Sequence, residues 1–232
     1  MQVTDGDTVV LATGERVRLI GMQAPKLPLG REGFQTWPLA DEAKLALEEM
    51  ALGADVHLRF GGEKMDRHGR MLAHMFVMGD IEVWTQQAMV KAGFARVYSF
   101  ADNRFCLDEL LRAEARARID RRGIWADPYY QIRYADQPKR LLERAGHYEL
   151  VEGRVLAAER SGSRVYLNFG RYWKEDFTVV IDRSGQKAFA AAGIDPLIYD
   201  GALVRVRGWI DDRDGPRIEV SHPEQIEVLA TQ

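Results

Sequence analysis

Near its start the chain reads Asp5-Gly6-Asp7-Thr8, and no other stretch constrains the fold as much. An Asp-Gly pair marks a tight turn. Behind it come Val9-Val10-Leu11, a Thr13-Gly14 turn, and Arg16-Val17-Arg18-Leu19-Ile20. Those runs alternate between two faces and read as a β-hairpin, with acidic residues at its entry and Arg18 near the end of its second strand. A second polar loop, Asp66-Arg67-His68-Gly69-Arg70, lies between strand-like runs at 55–60 and 71–77. A carboxylate, a tight turn and two guanidinium groups are the ingredients of phosphodiester chemistry. The carboxylate can hold a hard cation against a phosphate, and the arginines can grip phosphoryl oxygens with paired donors.

The remaining pattern predicts two barrels in tandem. A helix over 38–52 carries Ala43, Ala46, Leu47 and Met50 on one stripe, with Gly53 as its stop. A second helix covers 83–92 and ends at Gly93. A third covers 105–122, capped by Asn103 or Asp102, with Gly123 beyond its end. From 134 to 146 the chain is polar and charged and reads as a linker holding a short helix at 138–145. Strands follow at 149–158, 164–170 and 177–181, then a helix at 186–192, then strands at 203–210, 217–220 and 226–229, with Asp214-Gly215 as a hairpin signal. Three strands, a helix and two strands is the arrangement of an OB-type barrel. The expected class is mainly β with helices (α+β), with a first domain at 1–133, a linker at 134–147 and an OB-like domain at 148–232.

The order and spacing of Asp5-Gly6-Asp7-Thr8, Arg18, the 66–70 loop and Gly123-Ile124-Trp125 resemble the staphylococcal-nuclease (thermonuclease) family over about residues 3–130. The resemblance implies a five-strand OB barrel with three helices, acting on DNA or RNA. It further implies that Asp7 ligates calcium, and that Arg18 and Arg70 bind the phosphate and stabilise its transition state. Arg67 and His68 match positions that contact the nucleotide's phosphate, and Tyr98 and Phe100 match aromatic positions near the base. The chain also departs from the family. After Arg18 it reads Leu19-Ile20-Gly21-Met22-Gln23-Ala24-Pro25-Lys26, where the family has Asp-Thr-Pro-Glu at the last four places. Gln23 stands in place of a second calcium carboxylate. Lys26 stands in place of a glutamate thought to position or deprotonate the attacking water.

These replacements change the local charge by about +3, and calcium affinity tracks the number of carboxylates. A residual calcium site would consist of Asp7, the Gln23 carbonyl oxygen, backbone carbonyls and water. Alternatively, an inward-pointing Lys26 takes over part of the ion's role, or Glu32, Asp41 or Glu42 fills the vacated place. Two functions stay open: a thermonuclease-like phosphodiesterase with a weakened calcium site, and a catalytically silent module that binds nucleic acid or protein.

Composition narrows the partners. The 232 residues carry a net charge of −3, so long nucleic acid should be held weakly and locally, single strands foremost. The lone cysteine, Cys106, rules out an internal disulfide, and the five histidines are too scattered for a ligand set. No run is long and apolar enough to span a membrane as a helix. The few residues before Asp5 raise the expectation of a missing upstream segment, an export signal among the alternatives. In the second domain, alternation sets Arg205, Arg207 and Trp209 on one strand face, and Arg164, Tyr166 and Asn168 on another. With Tyr172 and Trp173 on a basic, aromatic loop, these are candidate contacts for a single strand. The competing expectation is the polar face of a half-buried sheet, with a Trp packing on the first domain.

Overall fold

A computed structural model describes residues 1–230 and divides the chain into two compact units, residues 1–130 and the chain from 131 on. The first unit contains β1 (Gln2–Asp5), β2 (Thr8–Val10), β3 (Arg16–Leu19), β4 (Gly21–Gln23), α1 (Ala40–Ala51), β5 (Val56–Arg59), β6 (Met71–Val77), β7 (Val83–Trp84), α2 (Thr85–Ala92), β8 (Arg96–Tyr98) and α3 (Leu107–Ile119). Its main sheet runs β1-β2-β3-β6-β5, with β7 added to β6 and a separate β4-β8 ribbon. Only the β3–β6 pair is parallel in that sheet. Parallel strands need a crossover, here carried by α1 and β5.

Valines 9 and 17 and Leu19 from the hairpin, Ala43 and Leu47 from α1, Met89 and Val90 from α2, and Leu107 and Leu110 from α3 share one core. Where α2 ends, Gly93 has φ +79°, and an added Cβ would lie 2.2 Å from the Arg122 carbonyl oxygen. That close approach lets the Ile124 amide donate to the Gly93 carbonyl at 2.8 Å.

The start of α3 differs from expectation. Cys106, with φ 59°, occupies the cap position, and no side chain caps the helix. Asn103 is buried instead and donates to the Glu63 carbonyl at 3.2 Å, tying two loops together. A side chain can serve only one of those roles.

The second unit contains β9 (Arg133–Tyr134), α4 (Pro138–Leu142), β10 (Tyr148–Arg154), β11 (Ala157–Ser161), β12 (Arg164–Asn168), β13 (Thr178–Ile181), α5 (Arg183–Ala191), β14 (Leu203–Asp211), β15 (Arg217–Glu219) and β16 (Ile226–Ala230). The stretch expected as a linker is part of this unit. Tyr134 pairs with Glu152, and Ala135 and Leu141 are buried in the second core. Those two apolar side chains, in an otherwise charged stretch, gain more from burial than a free linker would allow.

The expected strand 149–158 breaks at Val155-Leu156 into β10 and β11. Pairing then runs β11-β12-β13-β15-β14-β10-β9, so the two halves of one stretch pair at different parts of the sheet, β11 with β12 and β10 with β14. Strands β13 and β15 are parallel, and α5 lies between β13 and β14 in sequence. Asp182 caps α5 by accepting from the Gly185 amide at 2.7 Å.

Candidate phosphodiester site

The turn between β1 and β2 seats two carboxylates under the rest of the first unit. A Cβ at Gly6 would lie 2.6 Å from the Ala24 Cβ and 3.0 Å from the Ala43 Cβ. Only glycine lets the turn approach α1 so closely. Asp5 Oδ1 then accepts from the Asp7 amide at 3.1 Å.

Asp7 is fully buried, and its oxygens are engaged on all sides. Oδ1 meets Arg18 Nη1 at 2.9 Å and Lys26 Nζ at 2.6 Å, and accepts from Thr8 Oγ1 at 3.3 Å. Oδ2 accepts from the Ala24 amide at 2.9 Å and from Lys26 Nζ at 2.6 Å. Lys26 Nζ also lies 3.4 Å from Asp5 Oδ2. Arg18 donates through Nη1 to the carbonyls of Asp7 (3.2 Å) and Leu19 (3.0 Å), and through Nη2 to that of Met22 (2.9 Å).

Burial alone would raise the Asp7 pKa, but the Arg18 and Lys26 charges outweigh it and hold the carboxyl well below the usual range. Asp5 goes the other way. Burial first, and then the neighbouring Asp7 charge, raise its pKa against the pull of Lys26. Two acids and two cations thus form one closed cluster.

Gln23 does not belong to that cluster. Its Oε1 accepts from Arg96 Nε at 3.1 Å and Nη2 at 2.9 Å, across the β4–β8 register. The carbonyl oxygen of Gln23, expected as a possible calcium ligand beside Asp7, is engaged by Arg96. Glu32, Asp41 and Glu42 are all exposed, so none fills the vacated place. Among the described residues, no three His, Cys, Asp or Glu side chains converge as a ligand set.

The 66–70 loop is organised around Asp66. Its Oδ1 accepts from the His68 and Arg70 amides at 2.8 and 3.0 Å, and its Oδ2 holds the Arg70 guanidinium at 2.7 Å. Partial burial opposes ionisation of Asp66, but these bonds, chiefly from Arg70, lower its pKa. Arg67 and His68 are exposed, with Arg67 Nε 3.2 Å from His68 Nε2. Arg16 Nη2 reaches the His68 carbonyl at 2.8 Å and ties the loop to β3. In the parallel β3–β6 register Val17 faces Met71, so Arg70 stands one step before the partner of Val17. Tyr98 packs edge-on to Phe100 with centroids 5.0 Å apart.

Sequence reasoning missed Arg96 and Glu114. Glu114 on α3 is fully buried, accepting from the Val97 amide at 2.7 Å and Arg118 Nη1 at 2.8 Å. Its only signal was an acid on the α3 stripe between Leu110 and Ala117.

In the second unit the predicted surface separates into two places. Arg205 donates to Glu152 at 2.8 Å and pairs with Glu227 at 3.1 Å. Arg207 is wholly buried and pairs with the same Glu227. Both arginines are thus withdrawn from the expected strand-binding face, because β16 brings Glu227 alongside β14. Trp209 is half exposed, edge-on to Tyr148 at 6.0 Å. Tyr172 is exposed, and its amide donates to Asp176 at 2.8 Å. Tyr166 and Trp173 line a cavity of about 280 Å³ on the outer face of β12 and β13.

Residues 16–127 match the family described as staphylococcal nuclease homologue. The chain is 29% identical over 131 residues to endonuclease YncB of Bacillus subtilis (strain 168), covering 54% of this chain and 60% of that protein. It is 31% identical over 138 residues to Protein ParB of Escherichia coli, covering 56% of this chain and 72% of that protein. With the thermonuclease of Staphylococcus hyicus it shares 23% over 130 residues, 55% of this chain and 74% of the other. It therefore spans less than two thirds of the length of YncB.

Proposed function

This chain belongs to the staphylococcal nuclease family, and from that premise we propose that it is a nucleic-acid phosphodiesterase in which the Lys26 ammonium stands in place of calcium. Endonuclease and thermonuclease relatives support a nucleic-acid substrate, DNA or RNA. One observation carries the cation assignment: Lys26 Nζ lies 2.6 Å from each Asp7 oxygen. Calcium takes six to eight oxygen ligands. Here it would find the Asp5 and Asp7 carboxylates already matched by two cations, and a Gln23 oxygen engaged elsewhere. The donor set does not fit calcium.

In this reading Lys26 and Arg70, both partly accessible, supply positive charge to a phosphate. A lysine does so as a compact point charge and an arginine through a planar fork. Arg18, with its donors on Asp7 and three carbonyls, acts as a positioning residue for Asp7 and Lys26. The second reading, a silent binding module, is favoured by that same closure: the Asp7 oxygens and the Arg18 donors satisfy one another.

Denatured DNA, incubated with calcium or with chelator, separates the two. Chelator-insensitive release that Arg70→Ala abolishes supports the proposal. Release that requires calcium overturns the Lys26 assignment. No release above the Arg70→Ala control leaves the silent module. We read the second unit as an OB-type barrel, supported by its strand order, its parallel β13–β15 pair and the position of α5.

A further inference from the structure

We infer that the outer face of β12 and β13 is a groove for single-stranded nucleic acid, where Tyr166 and Trp173 stack bases and Arg164 meets a phosphate. The choice of polymer rests on the proposed function; the groove itself does not. Alternation along β12 buries Val165 and Leu167 in the core and turns Arg164, Tyr166 and Asn168 outward. The register sets Tyr166 opposite Val180 and Asn168 opposite Thr178. Val180 and Thr178 form a buried floor, and Trp173 rises beside it from the β12–β13 loop. The cavity of about 280 Å³ is open on one side.

A flat base needs an aromatic face, and two are available. Trp173 is 55% exposed. Among the described residues the Tyr166 hydroxyl has no partner, so nothing but packing fixes that ring. In a barrel of this strand order, the face of the second and third strands is where oligonucleotides or oligosaccharides bind. Charge decides between them. The lining sets Arg164, Arg213 and Arg217 against Glu159 and Asp214; Arg213 and Arg217 share Asp211 and Glu219, but Arg164 has no ion pair among the described residues. Lys174 Nζ lies 5.1 Å from the Trp173 ring. Unpaired cations beside stacking faces suit a phosphate polymer, and a neutral sugar chain has no use for them. With so few free charges, affinity comes mainly from stacking.

The test uses the full chain and a short fluorescein-labelled oligothymidylate with cleavage-resistant phosphorothioate linkages, read by fluorescence anisotropy. Tyr166→Ala and Trp173→Ala should each weaken binding about tenfold. Tyr166→Phe should retain it, since the ring is kept. Arg164→Ala should reduce the slope of log affinity against log salt by about 0.7. Thermal unfolding should be unchanged in the exposed Trp173→Ala variant, which separates loss of a contact from loss of fold.

Hydrolysis of a dinucleotide, too short to need the groove, reads the first unit separately. If no hydrolysis occurs and Tyr166→Ala still loses strand binding, the groove stands and the nuclease reading falls. No strand binding by the unaltered chain overturns the groove. Equal binding by Tyr166→Ala, Trp173→Ala and Arg164→Ala overturns it too, as does displacement of the strand by a neutral maltooligosaccharide.

Discussion

Replacing Lys26 by Met keeps most of the side-chain volume and deletes the ammonium. Asp7 then stays buried with Arg18 at 2.9 Å and the Ala24 amide at 2.9 Å, but without the closest of its two cations. Breaking a buried ion pair from one side costs about 3–5 kcal/mol. Because Arg18 and the amide remain, the loss should fall at the lower end, about 3 kcal/mol. For a unit of this size that lowers Tm by roughly 10 °C.

The pH dependence should move as well. In the native protein the Asp7 pKa lies below its unfolded value, so its contribution is present above about pH 4 and fades as pH falls through the folded pKa. Without Lys26, burial gains ground on the remaining Arg18 charge and the folded pKa rises. Acid destabilisation should therefore begin at a higher pH in the variant. Thermal unfolding followed by circular dichroism, repeated across the acid range, measures both effects. If Lys26→Met melted within about 1 °C of the native protein near neutral pH, the ammonium would be solvated in the way of an exposed surface pair, and the assignment would fail.

Gln23→Asp combined with Lys26→Glu should create measurable calcium binding by calorimetry that neither single change produces, because the ion needs several carboxylates at once. No calcium binding in the double variant would mean that an aspartate at position 23 stays with Arg96 instead of turning to Asp7. Burial pushes the His74 pKa down to about 4 from an ordinary 6.5, so the folded protein should lose on the order of 3 kcal/mol as pH falls across that window. His74→Gln should flatten this part of the stability profile, and an unaltered profile would refute the assignment. Gly93→Ala should destabilise by about 3 kcal/mol in a denaturant titration, since it combines a positive φ with a Cβ 2.2 Å from the Arg122 carbonyl oxygen. A loss below about 1 kcal/mol would show that the helix end relaxes freely.

Much of the fold follows from local pattern. Alternation in Thr8–Val10 and Arg16–Leu19 and the stripe of Ala43 and Leu47 are set by neighbours a few residues apart, and the hairpin and α1 appear where that pattern predicts them. The family likeness was legible in the same way, from short motifs at readable spacings. The chemistry of the site was less so. That Lys26 and Gln23 differ from the family was plain in the sequence, but where each side chain goes depends on partners brought close by the fold. Asp7 comes to Lys26 from 19 residues away, and Arg96 to Gln23 from 73. Alternation likewise put Arg207 on the outer face of its strand without saying that β16 would bring Glu227 alongside it. The stretch from 134 to 147 looked like a linker because its pattern is polar and charged, with Pro138 in it. Tertiary structure decided otherwise, because Ala135 and Leu141 find a core to enter that no local window of sequence contains.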